Sequence, residues 1–144
     1  MECIRDLIQT KKPGVDLLDI KSAEQKLGVT FPEQYKELFM LVNNAEIGEW
    51  ILYPIKDSRN PKKTWDDVVR QNIECREEGF PKNLIAIGDD GSGDKLCLII
   101  KNGIMRDEIY VWYHENGDID EYAPNLKDFI VLFSEEETED FENE

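Results

Sequence analysis

Two short segments carry residue types that do chemistry. Asp89-Asp90-Gly91-Ser92-Gly93-Asp94 sets three carboxylates around two glycines, and His114-Glu115 joins the only histidine of the chain to an acid. Closely spaced carboxylate oxygens are hard ligands for a divalent cation, and a histidine beside an acid is the raw material of a proton-transfer couple. Neither segment completes a working pattern. The aspartate spacing does not follow the calcium-loop pattern. A phosphate cradle needs a glycine loop that opens onto a helix N-terminus. Here the loop lies between two apolar runs, and its three carboxylates repel phosphate. No G-x-S-x-G accompanies His114, and Cys97 falls inside a strand as a small buried hydrophobe. The simpler reading is a hairpin loop whose glycines take positive φ, with His114 held structurally at a strand end. The expectation is no catalytic residue, no metal and no cofactor. A metal-dependent or small-molecule enzyme using Asp89, Asp94, His114 and Glu115 is the least favoured alternative.

The elements that position these residues are legible from periodicity. Leu84–Gly88, Lys95–Ile100 and Ile109–Tyr113 are β-branched and aromatic runs separated by Gly, Asp and Asn clusters, the mark of consecutive antiparallel strands. Within the last run Ile109, Val111 and Tyr113 face one side, and Tyr110, Trp112 and His114 the other. Upstream, Ile4, Leu7 and Ile8 predict a short helix over Glu2 to Lys12, stopped by Pro13-Gly14. Asp19 is placed to cap a helix running to Leu27, with Gly28 as its left-handed stop. Pro32 suits the first position of the next helix, which shows Tyr35, Leu38, Phe39 and Val42 on one face. Glu49 to Tyr53 reads as a strand and 56–63 as a surface loop. Thr64 is expected to cap a helix that ends at Gly79. Ile119 to Tyr122 reads as a final strand. Asn125 with Asp128 forms a variant capping box before the stripe Leu126, Phe129, Ile130 and Phe133. Helices mostly first, strands mostly central and a helix last make the fold class α+β.

Length and charge bound the rest. The 144 residues favour one domain over 1–134, followed by an acidic tail, 135–144, that repels itself. The chain carries 17 Lys and Arg against 32 Asp and Glu, for a net charge of −15. Setting aside the seven acids of the tail leaves the body at −8. Like charge makes nucleic acid and anionic membrane poor partners and favours a basic protein. Cys3, Cys75 and Cys97 are odd in number and widely spaced, which argues against a disulfide framework or a zinc knuckle. Reduced thiols, no apolar run of membrane length and an N-terminus without a signal pattern together predict a cytoplasmic protein.

The acids are not scattered. Glu46, Glu49, Asp89, Asp90, Asp94, Glu115, Asp118, Asp120 and Glu121 all fall in turns or at strand ends. If those ends share one edge, they make a dense negative patch; Trp50, Trp65 and Trp112 are candidate aromatic anchors for a partner, with core packing the simpler reading for Trp112 because both faces of its strand are apolar. The competing reading is an ordinary solvated rim.

Three segments together resemble one family pattern. Ala23-Glu24-Gln25-Lys26-Leu27-Gly28-Val29-Thr30-Phe31-Pro32-Glu33-Gln34-Tyr35-Lys36-Glu37-Leu38-Phe39 is similar to the opening helix-turn-helix of the SUKH superfamily. Ile87 to Asp94 resembles its central loop, and Val111-Trp112-Tyr113-His114-Glu115 its strand ending in an aromatic, a histidine and an acid. The resemblance implies a twisted antiparallel sheet with helices packed against it. It also implies a protein that acts by contact, either a bacterial immunity protein that blocks a cognate, often nuclease, toxin domain or a regulatory scaffold like the fungal cell-wall relatives. Catalysis is no part of the pattern.

Overall fold

Gly28 adopts φ 70° and ends the first helix, as its position after Leu27 predicts. The computed structural model describes residues 13–59 and 61–133. The helix expected over Glu2 to Lys12 and the acidic tail lie outside the described residues. Helix α1 spans Leu17–Leu27 and α2 spans Glu33–Leu41. Two starts differ by a few residues from the expected ones. Asp16, not Asp19, is the N-cap of α1, and Pro32 is the N-cap of α2 rather than its first residue. Glu24 binds the two helices together. Its Oε2 accepts the Phe31 N–H at 2.8 Å and lies 3.6 Å from Lys36 Nζ.

A sheet follows, built from β1 (Glu46–Ile47), β2 (Trp50–Leu52), β3 (Leu84–Asp89), β4 (Lys95–Lys101), β5 (Ile104–Met105), β6 (Ile109–Trp112) and β7 (Ile119–Ala123). The order is β1-β2-β3-β4-β6-β7, with β5 paired to the far end of β4, and every pairing between these strands is antiparallel. The sheet is curled, and the fold is the expected α+β. Where β2 crosses β3 the backbones approach too closely for a side chain. A Cβ on Gly88 would sit 2.6 Å from the Ile51 carbonyl oxygen, and the register slips between Ala86 and Gly88.

Helix α3 (Val68–Glu77) lies between β2 and β3 in the chain and packs on β3. Its cap is Asp67, whose Oδ1 accepts the Arg70 N–H at 3.1 Å. Thr64 is not the cap, because its hydroxyl instead accepts the Asp57 N–H at 2.9 Å and closes the loop before the helix. Asn72, fully buried, joins α3 to the sheet. Its Nδ2 donates to the carbonyls of Val68 and Ala86, and its Oδ1 accepts the Ala86 N–H, each at 2.8 Å. Asn43 does the same work after α2, exchanging two 2.9 Å hydrogen bonds with the backbone of Ile55.

The last helix, α4, is helical over 126–133. Its capping box forms as the sequence predicts: Asn125 Oδ1 accepts the Asp128 N–H at 2.9 Å, and Asn125 Nδ2 donates to Asp128 at 3.2 Å. Gln34 adds a bond from α2 to the Lys127 N–H at 2.9 Å. Phe129 and Phe133 stack toward Tyr122 of β7, and Phe80 meets Trp112 edge-on from the other face of the sheet. One core runs through all of this, centred on Tyr35, Leu38, Phe39, Leu52, Ile85, Leu96, Val111 and Phe129.

Candidate functional site

Strand register decides whether the acidic turns meet. Glu46 pairs with Ile51, Ile51 with Asp89, Asp89 with Lys95, Lys95 with Trp112, and Trp112 with Ile119. These six residues form one row across the whole sheet. The β1–β2 turn at Gly48-Glu49, the loop 90–94 and the turn 113–118 all leave the sheet just beyond that row, at the same end. The structure therefore brings Glu46, Glu49, Asp89, Asp90, Asp94, Glu115 and Asp118 to one rim, with Asp120 and Glu121 following on β7.

The carboxylates of this rim divide into two kinds. Those of the glycine loop are engaged within the fold. Asp89 Oδ2 accepts the Tyr53 hydroxyl at 2.9 Å and lies 3.6 Å from Lys95 Nζ, which itself donates to Tyr53 Oη at 2.9 Å. Burial first, and then the neighbouring Asp89 charge, push the Tyr53 hydroxyl far above its ordinary range, so it stays a donor. Asp90 Oδ1 accepts both the N–H of Ser92 at 3.0 Å and its hydroxyl at 2.6 Å, and shapes the loop. Asp94 Oδ1 meets His114 Nδ1 at 2.7 Å and accepts the His114 backbone N–H at 3.1 Å. The hydrogen bond from the His114 ring holds the Asp94 carboxyl below the usual aspartate range. Gly93, at φ 112°, lets the loop lie against that imidazole, since a Cβ there would stand 3.0 Å from the ring. His114 is thus the tie between two loops of the rim.

The second kind faces solvent. Glu46, Glu49, Glu115, Asp118 and Glu121 are exposed, and their carboxylates enter no ion pair among the described residues. Asp120 is also exposed, with its carboxylate beside the Tyr113 hydroxyl. These acids form the negative surface that remains available.

Trp50 does not belong to that surface. It is 2% exposed, packed edge-on against Tyr122, so it cannot anchor a partner. The alternation of β2 explains the correction. Trp50 and Leu52 point inward, and Ile51 between them is 43% exposed. Ile51 and Ile119, the latter 42% exposed, are the apolar residues that the sequence reading did not place at the rim. The two-residue strand β1 was also unannounced, and the turn glycine Gly48, at φ 60°, was the signal for it. Trp65 is exposed but stands elsewhere, before α3, with the Arg70 guanidinium 3.6 Å over its ring.

Burial pushes the Cys97 thiol up to about 12 and raises that of Cys75. Among the described residues no three His, Cys, Asp or Glu side chains stand where they could hold a metal ion.

Fold and rim together define a small α+β domain that presents one acidic end of an antiparallel sheet. The chain matches the family described as SUKH_5, SMI1-KNR4 cell-wall, over residues 2–133, and it belongs to that family. A local stretch of 53 residues is also 40% identical to snaclec rhodocetin subunit gamma of Calloselasma rhodostoma. The stretch covers 37% of this chain and 37% of that protein, so the chain spans little more than a third of the length of the curated relative it matches.

Proposed function

We propose that this chain is an immunity protein that binds a cognate, basic toxin domain of the nuclease kind and blocks it by covering its cleft. The observation that carries the reading is the register, which gathers three acidic turns at one end of the sheet, where Glu46, Glu49, Glu115 and Asp118 are exposed and enter no ion pair among the described residues. A nuclease cleft is basic because it holds phosphate, so an acidic rim can compete with nucleic acid for it. Membership of the SUKH_5 family supports a contact role. The chain works in the cytoplasm in this reading and performs no reaction of its own. Among the described residues no helix is long and apolar enough to cross a membrane.

A second reading, a regulatory scaffold for an endogenous partner, is favoured by the cell-wall description that the family carries. Co-expression with the product of the adjacent gene separates the two. The immunity reading expects growth rescue by the native chain and loss of rescue in the triple variant Glu49→Lys, Glu115→Lys, Asp118→Lys, with an unchanged melting temperature. Full rescue by the triple variant contradicts the role given to the rim.

A further inference from the structure

We infer that the outer edge of β7 is a docking edge for an extended, lysine- or arginine-bearing strand of the partner protein. The proposal rests on the reading of the chain as a binder of a basic protein and specifies how part of that contact is made.

Among the described residues β7 pairs with β6 on one side only. The ladder fixes which backbone groups are left over. Tyr113 N–H donates to the Asp118 carbonyl at 2.9 Å, and the Gly117 N–H to the Tyr113 carbonyl at 2.8 Å, a turn that ends in a bulge at Gly117, φ 76°. Hydrogen-bonded and non-bonded pairs alternate along an antiparallel ladder. The next bonded pair is therefore Val111 with Asp120. Trp112 with Ile119 and Tyr110 with Glu121 are the non-bonded pairs, so the N–H and C=O groups of Ile119 and Glu121 point away from the sheet. These four groups form a template for one more strand. The opposite edge, β1, is only two residues long.

Edges left open in this way are normally guarded by proline, lysine or a covering element. β7 reads Ile119-Asp120-Glu121-Tyr122-Ala123 and has neither proline nor lysine. Its guards are acids: Asp120 and Glu121 within it and Asp118 just before it. Such a guard discriminates. A second copy of this chain would bring its own acids opposite these, and so would the acidic tail, whereas a cationic strand gains cross-strand pairs at the same positions. Ile119 and Glu121 share a face with Trp112 and Tyr110, which are half-buried and offer an apolar floor to the arriving side chains.

The test uses the full chain, labelled with nitrogen-15, and two capped octapeptides, one alternating lysine and valine, the other glutamate and valine. Millimolar cationic peptide is expected to slow amide exchange at Ile119 and Glu121 by about tenfold and to leave Asp120, already bonded to β6, unchanged. The anionic peptide leaves all three unchanged. Glu121→Pro removes one outward N–H without touching the β6 ladder and is expected to abolish the effect at Ile119 while keeping the fold. Glu121→Lys keeps the N–H and is expected to weaken the cationic peptide. No protection by the cationic peptide, or equal protection in Glu121→Pro, overturns the docking edge. Protection without peptide, together with a doubled mass, overturns it in favour of self-pairing. In the growth assay, rescue retained by Glu121→Pro overturns the edge and leaves the acidic rim standing. Absence of rescue by the native chain would instead defeat the immunity reading, and the peptide measurement would still decide the edge.

Discussion

The seam beneath α3 and the rim at the end of the sheet use polar groups in opposite ways. At the seam, Asn72 is fully buried and its amide is bonded to three backbone groups. At the rim, Glu49, Glu115 and Asp118 lie in solvent and enter no ion pair among the described residues, while Asp89, Asp90 and Asp94 behind them are engaged. A buried polar atom must be satisfied within the fold or it destabilises the fold. An exposed carboxylate has no such obligation, so its free energy changes only when something arrives. The contrast separates residues that hold the shape from residues that present it.

The largest effect is expected at the seam. Asn72→Ala leaves the Ala86 N–H and carbonyl buried and unpaired, which should cost about 3 kcal/mol, or about 10 °C in melting temperature. Calorimetry showing no loss would mean that the seam is not what joins α3 to β3. The cap at Asp67 is smaller. Asp67→Ala should cost about 1 kcal/mol and fray the first turn of α3, seen as a loss of protection at Arg70 N–H.

The tie between the loops gives a pH effect. Asp94 has its pKa lowered in the fold, so its contribution is present above the ordinary aspartate value and is lost as pH falls through the depressed one. Asp94→Asn should therefore lower stability at neutral pH, flatten the acid limb of the stability curve below about pH 4 and converge with the native chain in stronger acid. An acid limb identical to that of the native chain would show that the His114 contact does not matter for stability. The smallest effect is expected at the exposed rim, where Glu49→Lys, Glu115→Lys and Asp118→Lys should each change stability by less than about 0.5 kcal/mol. A large loss at any of them would erase the distinction between rim and seam.

Much of this was legible in the sequence. The strand runs after Leu84, the Asn125–Asp128 capping box and the stripe Tyr35, Leu38, Phe39 and Val42 lie where local chemistry puts them, because each signal is contained within a few residues. The acidic turns were visible, and their convergence was a condition that only register could meet. Trp50 was misplaced because side-chain type suggests an anchor, whereas the inward parity of β2 is a tertiary fact. Thr64 and Asp67 both suit a cap, and the choice fell to Asp67 because the Asp57 backbone claims the Thr64 hydroxyl. The internal use of Asp89 depends on Tyr53, 36 residues away. No local pattern announces such a contact.

Exposed acids at one end of the sheet are proposed to draw in a basic protein. That proposal is tested most directly by the association rate with a basic toxin domain, if one is encoded beside this chain, measured by stopped flow across ionic strength. The rate should fall by about tenfold or more between roughly 20 and 500 mM salt, and the Glu49→Lys, Glu115→Lys, Asp118→Lys variant should associate slowly at every salt concentration. A native rate that ignores salt, or a triple variant that associates as fast as the native chain, would contradict the account.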